Sequence, residues 1–271
     1  GTSEARLLHM TNNPTKHACP VCGGTAFGEH HHDRLQTCFL CGLTVSGRIW
    51  ADTAVEDMQS RFFDETFASR TSCWTRLFER FNNRRALAQI VDRVPSGSHL
   101  LEVGVGSGSF LKLMEQQGYS VEGCDISPHV AKHAEKHLGI RVHCGTIDDL
   151  SSNSCYDAVV MRHVLEHMPN PRSCLEKASA LLRKGGICYL AVPHAQCWEA
   201  RFPGWVGYQP YHCTYFGIRP LLKLLKETGF SHQMVLTHES FSGWFLAVLR
   251  TVRQPCAVAS ASQANVSHQG K

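Results

Sequence analysis

No uninterrupted apolar run of about 18 residues occurs in the chain, which excludes a membrane-crossing helix of ordinary length. The longest candidate, Phe241 to Val252, is broken by Gly243 and Arg250. The amino-terminal stretch also lacks the apolar core of an export signal, so the expected location is the cytoplasm, with no membrane partner. Charge is sparse as well: 18% of residues are charged, the formal net charge is +4 and the pI is near 8.4. Lys and Arg are scattered rather than gathered into a stripe, so nucleic acid is not an expected partner. There is no internal repeat, which excludes a solenoid. What remains is a chain of 271 residues, 43% apolar, long enough for one core and a small added module.

Cysteine is abundant, at 13 residues. Without an export signal, and with an odd count, reduced thiols are expected rather than a disulfide framework. Four of them are ordered, as Cys19-Pro-Val-Cys22-Gly and Cys38-Phe-Leu-Cys41-Gly. Each knuckle turns two thiolates toward one point, and its glycine frees backbone amides to bond the sulfurs, which is the pattern of a closed tetrahedral zinc site. A redox dithiol is the other reading of such a motif, but no thioredoxin-like βαβ unit surrounds these cysteines. His30, His31 and His32 between the knuckles are read as a polar hairpin tip. The expected organisation is a zinc ribbon over 17–48, a helical lid or linker over 49–94, a large domain over 95–250 and a disordered tail over 251–271. The helical reading of 49–94 rests on apolar residues at helical spacing, among them Phe62, Phe63, Phe67, Trp74, Leu77, Phe81 and Ile90.

The large domain opens on Leu100-Leu-Glu-Val-Gly-Val-Gly-Ser-Gly-Ser-Phe110. An apolar strand ends in an acid, Glu102, and then in Gly104, Gly106 and Gly108, whose missing Cβ atoms admit a tight turn and a ligand against the backbone. About 20 residues on, Ser120-Val-Glu-Gly-Cys-Asp125 reads as a second strand ending in an acid suited to a ribose diol.

The E-x-G-x-G-x-G order resembles motif I of the class I S-adenosylmethionine-dependent methyltransferases, and later segments keep the resemblance in sequence. Asp125-Ile126 resembles their ribose-binding segment. Cys144-Gly-Thr-Ile-Asp-Asp-Leu150 resembles the adenine segment, with Thr146 where the family usually has an acid, so Ile147 is the firmer contact and Asp148 the weaker. Tyr156 to Pro171 resembles the fourth strand and the helix after it, and Leu181 to Ile187 the turn into strand five. The implied fold is α/β, a Rossmann-like seven-stranded sheet with a small amino-terminal zinc ribbon. The implied cofactor residues are Glu102, Gly104, Gly106, Gly108, Asp125, Ile126, Thr146, Ile147, Asp148, Arg162 and His163, with S-adenosylmethionine as cofactor. Structural zinc on Cys19, Cys22, Cys38 and Cys41 is the second cofactor.

The whole chain resembles a group of bacterial methyltransferases that begin with C-x-x-C-G knuckles, and Pro210-Tyr-His-Cys-Thr-Tyr-Phe216 with Thr228-Gly-Phe230 matches their segment after strand five. That resemblance implies a small polar acceptor: a sugar, a polysaccharide precursor or a natural product. Within this reading His163, Glu166 and His167 fall on one side of the expected helix after strand four by their i, i+3, i+4 spacing. His167 is the first candidate base, with His212 from the aromatic loop second and His163 beside them. The triplet also resembles the E-x-x-E-H segment with which some methyltransferases hold a divalent cation, His163 replacing the first Glu. Two other classes stay open: an RNA or protein methyltransferase docking through the ribbon, and a silent cofactor-binding scaffold. Strand four carries Met161-Arg-His163 in place of the N-P-P-Y signature of amino methylation. Pro193 to Gly217 is read as a long irregular loop, and its aromatics, Trp198, Trp205, Tyr208, Tyr211 and Tyr215, argue for order.

Overall fold

The computed structural model describes residues 18–30, 35–46, 73–151, 155–202, 205, 207–209, 211–237 and 244–251. All of 49–72, including Phe62, Phe63 and Phe67 of the expected helical lid, and the tail beyond 251 lie outside the described residues, as do His31 and His32.

The large domain is one open sheet of seven strands. Its parallel part consists of β4 (His99–Val103), β5 (Ser120–Asp125), β6 (Val142–Cys144), β7 (Tyr156–Arg162) and β8 (Leu182–Pro193). An antiparallel pair, β10 (Phe230–Thr237) and β11 (Trp244–Thr251), completes it, in the spatial order β10-β11-β8-β7-β4-β5-β6. Chain order reverses on either side of β4, between β5 and β7, and there the carboxyl ends open a crevice for ligands. Leu100, Leu101, Val159, Val160 and Leu190 are wholly buried. Such unbroken apolar runs belong to strands covered on both faces. α1 (Cys73–Val91), α2 (Ser109–Gln116), α3 (Pro128–His133), α4 (Pro171–Leu181) and α5 (Ile218–Glu227) supply the cover. In α5, Leu221, Leu224 and Leu225 are buried at i, i+3, i+4 spacing.

The amino-terminal module is a second sheet. β1 (Phe27–Glu29), β2 (Leu35–Cys38) and β3 (Thr44–Ser46) form an antiparallel ribbon. Its fourth strand, β9 (Thr214–Tyr215), comes from the segment after β8, pairing Thr44 with Tyr215 and Val45 with Thr214. The long loop expected to be irregular therefore contains a short 3-10 turn at Glu199–Arg201 and a strand. Pairing periodicity could not show this, because two residues are too few to carry it.

The helix expected directly after strand four is absent. β7 ends at Arg162, His163 takes the left-handed conformation (φ 60°), and a 3-10 turn covers Leu165–His167. α4 begins only at Pro171, where Asn170 caps it by accepting from Ser173 N at 3.2 Å. Pro169 and Pro171 explain the delay, since each disfavours the helical region for the residue before it. Among the described residues ten cysteines are free thiols, whereas Cys155 is in a disulfide, against the expectation of reduced thiols. No helix among the described residues is long and apolar enough to cross a membrane.

Candidate active site and metal-ligand cluster

The turn from β4 into α2 places Gly104, Gly106 and Gly108 at φ 75°, 56° and 73°. A Cβ on Gly104 would sit 2.3 Å from Val164 Cγ2, so the backbone can run against the next turn only because that residue is glycine. Asp125, at the end of β5, is 4% exposed. Its carboxylate is aimed by two backbone donors, Gly106 N at 3.1 Å and Ser127 N at 2.9 Å.

Between these strand ends lies a cavity of about 260 Å³. Of the sequence-predicted residues, Gly104, Asp125, Ile126, Thr146, Ile147, Asp148, His163 and His167 line it together. Asp125 and Asp148 stand beside the apolar surfaces of Ile126, Ile147, Met168 and Cys174, a lining that can take a flat base against apolar walls and a diol on an acid. Thr146 is held by Asp149, whose Oδ2 accepts from both Thr146 N (2.7 Å) and Thr146 Oγ1 (2.8 Å). Sequence reading does not single out Met168, Asn170, Ser173 or Cys174. Their one signal was the Asn170-Pro171 cap, which brings the start of α4 to the cavity rim.

Glu102, Gly106, Gly108, Arg162 and His212 are not among the cavity's lining residues. Glu102 and Arg162 instead form a buried tie below the glycine turn. Arg162 donates to Glu102 Oε1 from Nη2 (2.7 Å) and Nε (3.1 Å), donates to Asn83 Oδ1 of α1 from Nη1 (2.7 Å), and lies over the Phe110 ring at 4.1 Å. Burial pushes the Glu102 carboxyl up to about 7, against the pull of Arg162.

The histidines gather where the 3-10 turn meets the loop before β9. The rings of His167 and His212 lie 4.7 Å apart, nearly perpendicular, and Tyr211 stacks on His167 at 5.4 Å. His212 Nδ1 bonds the Gly207 carbonyl at 2.9 Å, and His167 Nδ1 faces the Tyr211 carbonyl at 3.4 Å. A carbonyl only accepts, so the His212 ring carries its proton on Nδ1, and the same tautomer at His167 would leave Nε2 as its basic nitrogen. Burial lowers the pKa of His167 and pulls that of His212 down to about 2, so both are neutral at physiological pH. His163, at the cavity wall, is pulled down to about 3 by burial and then by Arg162. Glu166 sits between them at 1% exposure, its Oε1 3.5 Å from His163 Nδ1. Glu166, His167 and His212 each present a donor atom within 4.8 Å of the others, a set of two imidazoles and a carboxylate that can hold a divalent cation. The resemblance had named His163 as the third member; the structure brings in His212.

In the ribbon, Cys19, Cys22, Cys38 and Cys41 place their sulfurs within 4.8 Å of one another, with Cys19 to Cys41 and Cys22 to Cys38 at 3.5 Å. A tetrahedron of roughly 2.3 Å zinc–sulfur bonds has edges of about 3.8 Å, so the four sulfurs fit such an ion. The knuckle glycines close the turns: Gly23 N donates to Cys19 O at 2.8 Å and Gly42 N to Cys38 O at 2.9 Å. Burial pushes the Cys19 thiol up to about 11, against the backbone N–H groups of Cys22 and Val21.

A glycine turn and an acid at adjoining strand ends of a sheet in this order define the class I methyltransferase architecture. The family profile described as "Methyltransferase domain" matches residues 76–233, more than half of the chain, and the chain belongs to that family. Among curated relatives, the ubiquinone biosynthesis O-methyltransferase of Xanthomonas axonopodis pv. citri is 31% identical over 105 residues, 36% of this chain and 44% of that protein. Its counterpart in Xylella fastidiosa is 33% identical over 114 residues, 39% of this chain and 46% of that protein. The chain thus spans less than half the length of these relatives. Among solved structures, magnesium protoporphyrin IX methyltransferase from Synechocystis PCC 6803, with bound S-adenosylhomocysteine, gives a TM-score of 0.61 at 18% identity, covering 74% of this chain and 100% of that one. The N-methyltransferase NodS from Bradyrhizobium japonicum WM9 gives 0.53 at 18% identity, covering 65% and 88%. These likenesses show the fold.

Proposed function

We propose that this chain transfers a methyl group from S-adenosylmethionine to a hydroxyl of a small polar acceptor such as a sugar, a polysaccharide precursor or a natural product. In this reading His167 is the base and Cys19, Cys22, Cys38 and Cys41 hold a structural zinc. The observation that carries it is that one cavity is walled by Gly104 and Asp125, suited to a nucleoside, and by His163 and His167 of the histidine cluster. The O-methyltransferase relatives support a hydroxyl acceptor over the region they share with this chain.

Bound S-adenosylmethionine supplies a methyl on a sulfonium that an in-line nucleophile displaces. Asp125 would accept from the ribose hydroxyls, Ile126 and Ile147 would flank the adenine, and the bare Gly104 backbone would leave room for the methionine end. His167 Nε2 takes the acceptor's hydroxyl proton as the oxygen–carbon bond forms and releases it to solvent afterwards. Its neutral state persists below the ordinary histidine range because burial lowers its pKa. Tyr211 and His212 hold the His167 ring in place.

The test is single-turnover transfer from labelled cofactor into fractionated small metabolites, with RNA and protein fractions in parallel. His167→Ala is expected to lower the rate about 10²–10⁴-fold with cofactor affinity nearly unchanged, and His212→Ala by a comparable or smaller factor. The deficit shrinks from pH 6 to 9 as the acceptor ionises unaided. Wild-type rates in both variants would remove histidine from the mechanism, and label appearing only in RNA or protein would overturn the small acceptor.

A further inference from the structure

The segment between β8 and α5 carries His212 and Tyr211. A connection of this length, left alone, loses roughly 1–2 kcal/mol of backbone entropy for every residue it fixes, so its order needs partners. Two separate routes from the ribbon supply partners, and a third contact anchors the ribbon itself.

The first is a line of hydrogen bonds. Ser46 N, at the end of β3, donates to Cys213 O at 3.0 Å, and Cys213 N donates to Glu166 O at 2.8 Å. The Cys213 thiol then donates to His167 O at 3.3 Å. One residue therefore connects the last ribbon strand to the 3-10 turn that carries Glu166 and His167, and it directly follows His212. The second route is apolar. Leu35 of β2 shares a small core with Cys197, Ala200, Trp205 and Tyr215 of the loop, separate from the cores of the main sheet. Tyr208 and Tyr215 lock that core by donating to Ala200 O at 2.7 Å and Gln209 O at 2.9 Å, and the His30 ring meets Tyr208 edge-on at 6.0 Å. The third contact fixes the ribbon itself, since Arg172 of α4 donates to Val21 O at 2.6 Å.

We infer that the ribbon is a brace for methyl transfer: through the Ser46–Cys213 bond and the Leu35 contact it sets the positions of the His212 loop and the Glu166–His167 turn. Ser46, Leu35 and Cys213 are positioning residues that act through the histidines. The inference deepens the proposed function and rests on its placement of the base in this turn and loop. A ribbon serving only to dock a separate macromolecule would not need its edge strand completed by this loop.

Ser46→Pro tests it in the full zinc-loaded chain, because proline removes the N–H donor and leaves the four cysteines untouched. Ser46→Ala keeps the N–H and is the conservative control. Amide exchange is followed in peptides covering 163–168 and 211–216, together with zinc content, cofactor affinity and single-turnover rate. Ser46→Pro is expected to retain one zinc and wild-type cofactor affinity, raise exchange in both peptides about 10-fold or more, and lower the rate by a similar factor, while Ser46→Ala behaves as wild type. Leu35→Ala, which keeps every backbone bond, gives the same pattern more weakly and serves if the proline variant does not fold. Unchanged exchange in both peptides, or a rise confined to the ribbon, overturns the brace whatever happens to the rate. Raised exchange with an unchanged rate overturns the brace for methyl transfer if His167→Ala still lowers the rate, and overturns the proposed base if His167→Ala leaves the rate unchanged as well.

Discussion

Glu166 is buried to 1% exposure, with its Oε1 3.5 Å from His163 Nδ1. Burial pushes its pKa up to about 7. The folded state therefore holds a proton there that the unfolded chain releases near 4.5. Stability that this proton preserves at low pH is lost as the pH rises through about 7. Glu166→Gln in metal-free buffer, which mimics the neutral form, is expected to match wild type at pH 5 and to exceed it at pH 8 by on the order of 2 kcal/mol. Denaturant titrations at the two pH values measure this. A variant less stable than wild type at pH 8 would show that the charged carboxylate is the form the fold needs. The residue types here were readable from His163-Val-Leu-Glu-His167, but their burial was not, because the chain segments that enclose them lie some 45 residues away.

The glycine turn is legible as an element. An apolar strand, an acid and three glycines on alternate positions dictate a strand-to-helix turn, and the observed elements, β4 to Val103 and α2 from Ser109, stand where the pattern puts them. Gly104 carries two constraints at once, a positive φ and the Val164 side chain against its missing Cβ. Gly104→Ala is expected to destabilise the fold by about 1–3 kcal/mol and to weaken cofactor binding measurably by calorimetry, because Val164 must move and His163 is its neighbour. Unchanged cofactor affinity would mean that the turn does not touch the ligand. The element after β7 differs from the expected helix for a physical reason. Helical spacing of three polar residues fits a helix and a single 3-10 turn equally, and two prolines with a left-handed His163 select the turn.

On the scale of the molecule, Cys19, Val21, Cys38 and Leu43 of the ribbon belong to the same buried cluster as Leu101, Met161 and Leu190 of the main sheet and Phe216 just after β9. Arg172 adds a tie by bonding both Val21 O and Glu227 Oε2, each at 2.6 Å. Metal removal is thus expected to act on the whole. Native mass spectrometry should show one zinc per chain, and heating should give a single transition whose midpoint falls by about 5 °C or more on chelation. Two separated transitions, or a main transition that ignores the loss of metal, would show that the ribbon folds as an independent unit.

The sequence alone determined what depends on neighbours along the chain: the knuckle turns, the glycine turn, the acid at the end of β5 and the amphipathic α5. Each is a local rule of period, turn chemistry or spacing. Only the tertiary structure decided that His212 rather than His163 completes the group with Glu166 and His167, that Arg162 ties Glu102 to α1, and that Tyr215 closes the ribbon sheet. Those outcomes depend on contacts between segments tens to well over a hundred residues apart. A two-residue strand or a buried carboxylate leaves no periodic trace in the sequence that would announce them.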